Sequence, residues 1–276
     1  MISSRRFLVP ATIVVLLAVV VFVYATRIEP NWLRVARYQV VDSKVPVVMA
    51  HLTDLHVVDE AALSRVERAV AELEHIRPDA IVLTGDYIGR RVLFPDRYRQ
   101  VLQRLTKIAP VYCIGGNHDG GVWAGVRGGY PTSDTIRAFM ESAGIRYLRN
   151  ETAVLDVRGR RLEIFGAGDI WSGDLVFDPD SVFSRDSATT KIVLTHSPDT
   201  RVRFDSVAWD HMLCGHTHGG QVDLPFLGAP ILPIEDKRYG RGMYRIGRQT
   251  LVVSPGVGNL RGIRFGCRPE IGLVEI

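Results

Sequence analysis

The stretch AIVLTGD, residues 80–86, decides the fold: an apolar, β-branched run delivers a carboxylate directly after a glycine. The same device recurs along the chain. Runs at 46–52, 80–84, 111–114, 191–195 and 211–214 are short, continuous and rich in Val and Ile, as strands buried on both faces should be. They end in Thr53-Asp54-Leu55-His56, Gly85-Asp86, Gly115-Gly116-Asn117-His118-Asp119, His196 and Gly215-His216-Thr217-His218. Between the early runs lie amphipathic helices. Residues 60–76 carry Leu63, Val66, Val70, Leu73 and Ile76 on one face and stop before Pro78. Residues 95–108 repeat this with Tyr98, Val101, Leu102 and Leu105 before Pro110. Strand–helix–strand order implies right-handed crossovers and mainly parallel pairing, hence an α/β fold. A hairpin at 151–157 and 161–165, and strands within 244–253 and 271–276, complete the expected sheet content.

Ligand sites of α/β proteins form beyond the carboxyl ends of strands. Each run therefore brings Asp, Asn or His to one sheet edge. In extended backbone i and i+2 project to the same side, so Asp54 with His56, and His216 with His218, are read as converging pairs. Two Asp, one Asn and several His suit a borderline divalent ion such as Mn, Fe, Zn or Co. The set lacks the thiolates of structural zinc and is too rich in nitrogen for calcium. Seven ligands are too many for one ion and fit two ions sharing a carboxylate. Two ions about 3.5–4 Å apart activate a bridging water for in-line displacement at phosphorus.

The ordered blocks D-x-H, G-D, G-N-H-D, H and G-H-x-H resemble the calcineurin-like metallophosphoesterase superfamily, over residues 46–276. That resemblance implies a four-layer α/β/β/α sandwich with metals at the strand ends. Carried over residue by residue, it implies that Asp54, His56 and His218 hold a first metal and Asp86 bridges. Asn117, His196 and His216 would hold the second. His118 would face the substrate, steadying the transition state or protonating the leaving oxygen, with Asp119 orienting it through its other ring nitrogen. His216-Thr217-His218-Gly219-Gly220-Gln221, the LPFL at 224–227 and the IRFGCRPE at 263–270 resemble the YaeI/YkuE-type bacterial phosphodiesterases. That subgroup is often membrane-associated or exported, and UDP-2,3-diacylglucosamine pyrophosphatases are more distant relatives. The implied activity is hydrolysis of a phosphodiester or pyrophosphate bond by a metal-bridging hydroxide, with a membrane- or envelope-associated, lipid-linked substrate. A phosphomonoesterase, or a non-catalytic membrane-tethered scaffold, are the alternatives.

Residues 7–25, FLVPATIVVLLAVVVFVYA, carry no charge and nearly suffice to cross a hydrocarbon core of roughly 30 Å. Arg5 and Arg6 precede them, which fits a transmembrane signal anchor, while Val23 and Ala25 offer small residues for cleavage as a signal peptide. The expected division is an anchor at 1–26, a linker at 27–45 and a catalytic domain at 46–276. The expected location is the cell membrane, single-pass; Arg27, Arg34 and Arg37 nearly cancel the charge of the first flank, which leaves either side open to the domain and the exterior slightly favoured. The 276 residues are 46% hydrophobic and 23% charged, which excludes a disordered chain. A net charge of +4 argues against a nucleic-acid partner, and three Cys exclude a disulfide framework. Cys113 and Cys214 are read as packing residues, and His51, His75 and His211 as lying outside the site. Arg90, Arg91, Arg261 and Arg264 are candidates for a second phosphate or a diester oxygen. The apolar segments 121–131 and 224–232 are read either as a lid packed on itself or as a surface for acyl chains or a bilayer.

Overall fold

The computed structural model describes residues 3–41 and 46–276, with side chains from residue 12 onward. The side chains of Arg5 and Arg6, and the last four residues of the expected linker, lie outside what is described. The chain opens with α1 (Ser3–Val23), continued by a π turn (Tyr24–Ile28) and a 3-10 turn (Glu29–Asn31). There follow β1 (Arg34–Gln39), β2 (Val48–Leu52), α2 (Glu60–Ile76), β3 (Ala80–Thr84), α3 (Pro95–Thr106), β4 (Val111–Ile114), α4 (Val122–Gly125) and α5 (Asp134–Ser142). The rest is strand and loop: β5 (Arg146–Tyr147), β6 (Glu151–Val157), β7 (Arg160–Gly166), β8 (Thr190–Leu194), β9 (His211–Cys214), β10 (Gly242–Ile246), β11 (Gln249–Val253) and β12 (Glu270–Glu275).

Two six-stranded sheets result, ordered β1-β12-β2-β3-β4-β5 and β10-β11-β9-β8-β7-β6. Pairing is parallel except at β12–β2, β10–β11 and β6–β7. The strands that carry polar ends are neighbours: β2, β3 and β4 in one sheet, β8 and β9 in the other. Their registers, Leu52↔Leu83, Thr84↔Ile114 and Leu194↔Leu213, bring those ends level. Between the sheets Met49, Val82 and Ile114 meet Ile164, Leu194 and Leu213 in one buried apolar layer. That layer holds the two sets of strand ends face to face.

Over the outer face of the first sheet pack α2, α3 and α5, with Leu63, Val70, Leu102 and Met140 buried. Asp59 caps α2 by accepting from the Ala62 N–H at 2.7 Å, and Arg77 ends it at φ 52° before Pro78. The layer over the second sheet is thin. Its buried side chains come from loops and 3-10 turns (Pro179–Ser181, Pro198–Phe204), and stacked rings of Phe177 and Phe204 (4.6 Å) fill the space of a helix.

Residues 27–45, expected as a linker, contain β1, which pairs in parallel with β12 from Arg34↔Glu270 to Gln39↔Glu275. Its sequence, RVARYQ, reads as polar because an edge strand exposes alternate side chains. Arg34 and Tyr38 reach inward to the fully buried Glu270 carboxylate, at 2.5 and 2.6 Å. The foot of α1 is equally fixed. The Arg264 N–H donates to Ala25 O (2.9 Å), and the Gly266 and Cys267 N–H groups donate to the buried Glu29 carboxylate (2.9 and 2.5 Å). The Tyr24 ring meets Phe265 edge-on at 6.0 Å. Above this foot, from Ile13 to Val23, the apolar side chains are exposed. The helical stretch Thr12–Asn31, of mean hydropathy 2.1, is long and apolar enough to cross a membrane.

Candidate active site

The five strand ends converge at the seam between the sheets. Asp54, His56 and His218 bring potential ligand atoms within 4.8 Å of one another, as do Asp86, His196 and His216. Asp86 Oδ2 joins the two groups, 3.5 Å from His56 Nε2 and 3.3 Å from His196 Nε2. Within the groups, His56 Nε2 lies 3.0 Å from His218 Nε2, and His216 Nδ1 lies 3.2 Å from His196 Nε2.

Convergence comes from turns, not from strand alternation. Asp54, His56, Asp86, His216 and His218 all have positive φ. The expected i, i+2 pairing therefore fails in its geometry: Asp54 and His56 do meet, but His216 and His218 turn to opposite groups. The loop after β9 reaches the loop after β2 because residue 215 is glycine; a Cβ there would collide with Thr53 Oγ1 and Asp54 Oδ2.

Backbone carbonyls set the imidazole tautomers. Ile88 O faces His56 Nδ1 (3.3 Å), Thr84 O faces His196 Nδ1 (2.7 Å) and Pro233 O faces His216 Nε2 (3.1 Å). A carbonyl only accepts, so each outward nitrogen carries the proton and each inward nitrogen has a lone pair free for a cation. Asp54 Oδ1, Asn117 Oδ1 and His218 Nδ1 are buried without a hydrogen-bond partner among the described residues. Uncompensated polar atoms at this density are costly in a folded interior. Carboxylate, amide and imidazole donors around Asp86 fit a pair of divalent ions.

The electrostatics agree. Burial pushes the Asp54 carboxyl up to about 6 and the His56 and His216 imidazoles down to about 3 and 4. At Asp86 burial works upward, but the His196 and His118 imidazoles override it and hold the carboxyl well below its usual range. His196 is the converse: Asp86, Asp54 and Asp169 outweigh burial and raise it well above 6.5.

His118 lines the cleft, its Nδ1 2.9 Å from Gly89 O and its ring 4.4 Å from that of Trp123. Asp119, expected to orient it, does something else. Its buried carboxylate accepts the backbone N–H groups of Asp86 (2.7 Å), Tyr87 (2.8 Å) and Gly116 (2.9 Å), tying the β3 and β4 loops together. The orienting acceptor is the Gly89 carbonyl. Arg264 is also excluded as a phosphate ligand: it is fully buried and donates to the carbonyls of Pro255, Gly258 and Cys267. Arg91 lies over Tyr130, and Arg261 lines the cleft.

Asp169 and Trp171 escaped the sequence reading. Asp169 is buried, accepts from the Trp171 and Ser172 N–H groups (2.9 and 2.8 Å) and is raised by burial to about 6. The run LEIFGAGD at 162–169 repeats the apolar-run-then-Gly-Asp device and was the available signal. The Trp171 ring lies nearly parallel to His216 at 6.3 Å. Above the clustered Asp and His side chains opens a cleft of about 690 Å³, walled by Ile231, Leu232, Leu260, Ile263 and the two tryptophans.

A family model described as calcineurin-like phosphoesterase matches residues 48–220. The chain is 36% identical to phosphodiesterase YaeI of Escherichia coli (strain K12) over 284 residues, covering all of both chains. It is 31% identical to the uncharacterized metallophosphoesterase YkuE of Bacillus subtilis, covering 90% of this chain and 87% of that one. To the UDP-2,3-diacylglucosamine pyrophosphatase LpxG of Chlamydia trachomatis it is 27% identical, with 93% of each chain covered.

Proposed function

The chain belongs to the calcineurin-like phosphoesterase family and is a phosphoric ester hydrolase, and from that premise we propose that it cuts a phosphodiester or pyrophosphate bond in a membrane-held substrate, at a centre of two divalent ions. The observation that carries this reading is the Asp86 carboxylate, one oxygen of which lies within 3.5 Å of an imidazole from each group. Asp54, His56 and His218 would hold one ion, Asn117, His196 and His216 the other, with Asp86 shared. When bound, such a pair supplies positive charge that acidifies a water and neutralises phosphoryl oxygens.

The chain's own residues do the rest. The Ile88, Thr84 and Pro233 carbonyls keep the ligand rings in one tautomer. His118, its Nδ1 held at Gly89 O and its ring packed on Trp123, offers Nε2 to the leaving oxygen as a proton donor. The apolar wall of Ile231, Leu232, Leu260 and Ile263 favours a substrate with an apolar part, such as a lipid. We read α1 as a single-pass membrane span that keeps the enzyme beside such a substrate. The names of YaeI and LpxG favour the diester and pyrophosphate over the monoester.

The test is metal content together with hydrolysis of bis-p-nitrophenyl phosphate and p-nitrophenyl phosphate under manganese. Wild-type protein is expected to bind two ions and prefer the diester. Asp86→Ala is expected to lose both ions and more than about 10³-fold in turnover, beyond the ~10²–10³ lost with one transition-state donor. An Asp86→Ala protein with both ions and full activity would sink the assignment, and preference for the monoester would make the enzyme a phosphomonoesterase.

A further inference from the structure

Outside α1, the two most exposed large apolar side chains among the described residues are adjacent in the chain. Phe226 is fully exposed and Leu227 is 80% exposed, at the tip of a turn closed by Leu224↔Gly228 pairing. Phe226 holds positive φ (68°), so the turn projects this ring in a backbone state that a bulky residue rarely adopts. Neighbouring Ile231, at the cleft wall, is 62% exposed.

The root of this turn is tied to the foot of α1. Val222 pairs with Phe265, the Asp223 N–H donates to Phe265 O (2.7 Å) and the Phe265 N–H donates to Gln221 O (2.9 Å). Phe265 in turn packs edge-on against Tyr24, and its neighbour Arg264 donates to Ala25 O. Arg241 braces the same root by an ion pair to Asp223 at 2.5 Å. At no more than about 3.5 Å per residue, Phe226 stands within about 14 Å of that ladder. The cleft wall is tied to the same place: Leu260 and Ile263 line it, and Arg264 follows directly. Arg27, at the helix foot, and Arg261, at the cleft, are exposed cations.

From this continuity we infer that the Phe226–Leu227 turn inserts into the same bilayer leaflet surface from which α1 emerges, so that the cleft opens at the lipid headgroups. This rests on the reading of α1 as a membrane span. The occupant is the headgroup–acyl boundary: two exposed apolar side chains at one turn, on a chain that also exposes Arg27 at the helix foot and Arg261 at the cleft, match an apolar layer under anionic phosphates. A phosphate in a headgroup would then reach His216 and His218 while its acyl chains stay in lipid, along Ile231, Leu260 and Ile263.

The test uses the full chain in vesicles of phosphatidylethanolamine and phosphatidylglycerol. Single cysteines at Leu227, at Phe22 in α1 and at the remote β6 position Val154 are labelled with bimane; the three native cysteines are buried. Docking predicts that the Leu227→Cys label, like the Phe22→Cys label, loses at least half its emission to doxyl groups on lipid and is shielded from aqueous iodide. The Val154→Cys label should show the reverse. If Phe22→Cys is quenched by lipid while Leu227→Cys follows Val154→Cys, the docking is wrong and the anchor stands. If neither Phe22→Cys nor Leu227→Cys is quenched by lipid, the anchor reading and the docking fall together.

Discussion

Asp54, His56, Asp86, His216 and His218 hold φ between 41° and 68°, a region that costs a non-glycine residue roughly 1–2 kcal/mol. Fixed contacts hold them there: Asp54 N–H to Gly85 O (2.9 Å), His56 N–H to Asp86 O (3.0 Å) and His216 N–H to Asp54 Oδ2 (3.0 Å). Asp119 belongs to that scaffolding, and this separates it from His118. Asp119→Ala would strand three buried N–H groups, each worth about 1–3 kcal/mol when left unpaired, so we expect a loss of about 3 kcal/mol or more and of bound metal. His118→Ala is expected to keep both ions and the melting temperature while turnover falls roughly 10²–10⁴-fold. Melting curves and metal analysis on the two variants decide. Two further histidines set an acid limit. Burial holds His51 down to about 3 and His211 to about 4, while both take a proton near 6.5 in the unfolded chain. Between those values the unfolded chain binds more protons, so their stabilisation is complete above 6.5 and falls as pH drops towards 4. Denaturant midpoints measured from pH 7.5 to 4.5 should decline, and decline less in His51→Gln; a flat profile would contradict the assignment.

Among the elements, β1 and the foot of α1 have consequences for how the enzyme can be cut. Glu270 is fully buried, and its cationic partner Arg34 comes from β1. A chain beginning at residue 42 leaves that carboxylate unpaired, at a cost of roughly 3–5 kcal/mol, and also removes Glu29 from the Gly266 and Cys267 N–H groups. Cys267 Sγ donates to His218 O at 3.2 Å, so the disturbance reaches a ligand loop. We expect residues 27–276 to fold and bind metal and residues 42–276 to melt at least 10 °C lower, checked by calorimetry. How legible these elements were follows from their burial. Strands β2, β3, β4, β8 and β9 are covered on both faces, so their sequences are apolar throughout and their polar ends stand out. The set of Asp, Asn and His that the fold gathers at the strand ends was legible for that reason. An edge strand such as β1 alternates polar and apolar residues, and its one inward anchor, Glu270, lies 236 residues away. Positive φ at Asp and His carries no compositional mark, so the turns that aim the ligands were invisible. Asp119 was misread because chain proximity to His118 outweighed the backbone N–H groups that only the fold brings to it.

For the molecule as a whole, we propose that the exposed apolar face of α1 lies in lipid. Alkaline carbonate, which strips peripheral proteins, should leave the full chain in the membrane pellet, and detergent should release it; release by carbonate would refute the span. The same helix ends in a join with a temporal meaning. Ala25, the residue after which a leader would be trimmed, is 4% exposed, lies in a helical turn and offers its carbonyl to Arg264. A protease needs that bond extended and accessible, which the folded domain denies. We therefore propose that any trimming after Ala25 has to precede folding of the domain, because the folded chain buries this residue and holds its carbonyl on Arg264.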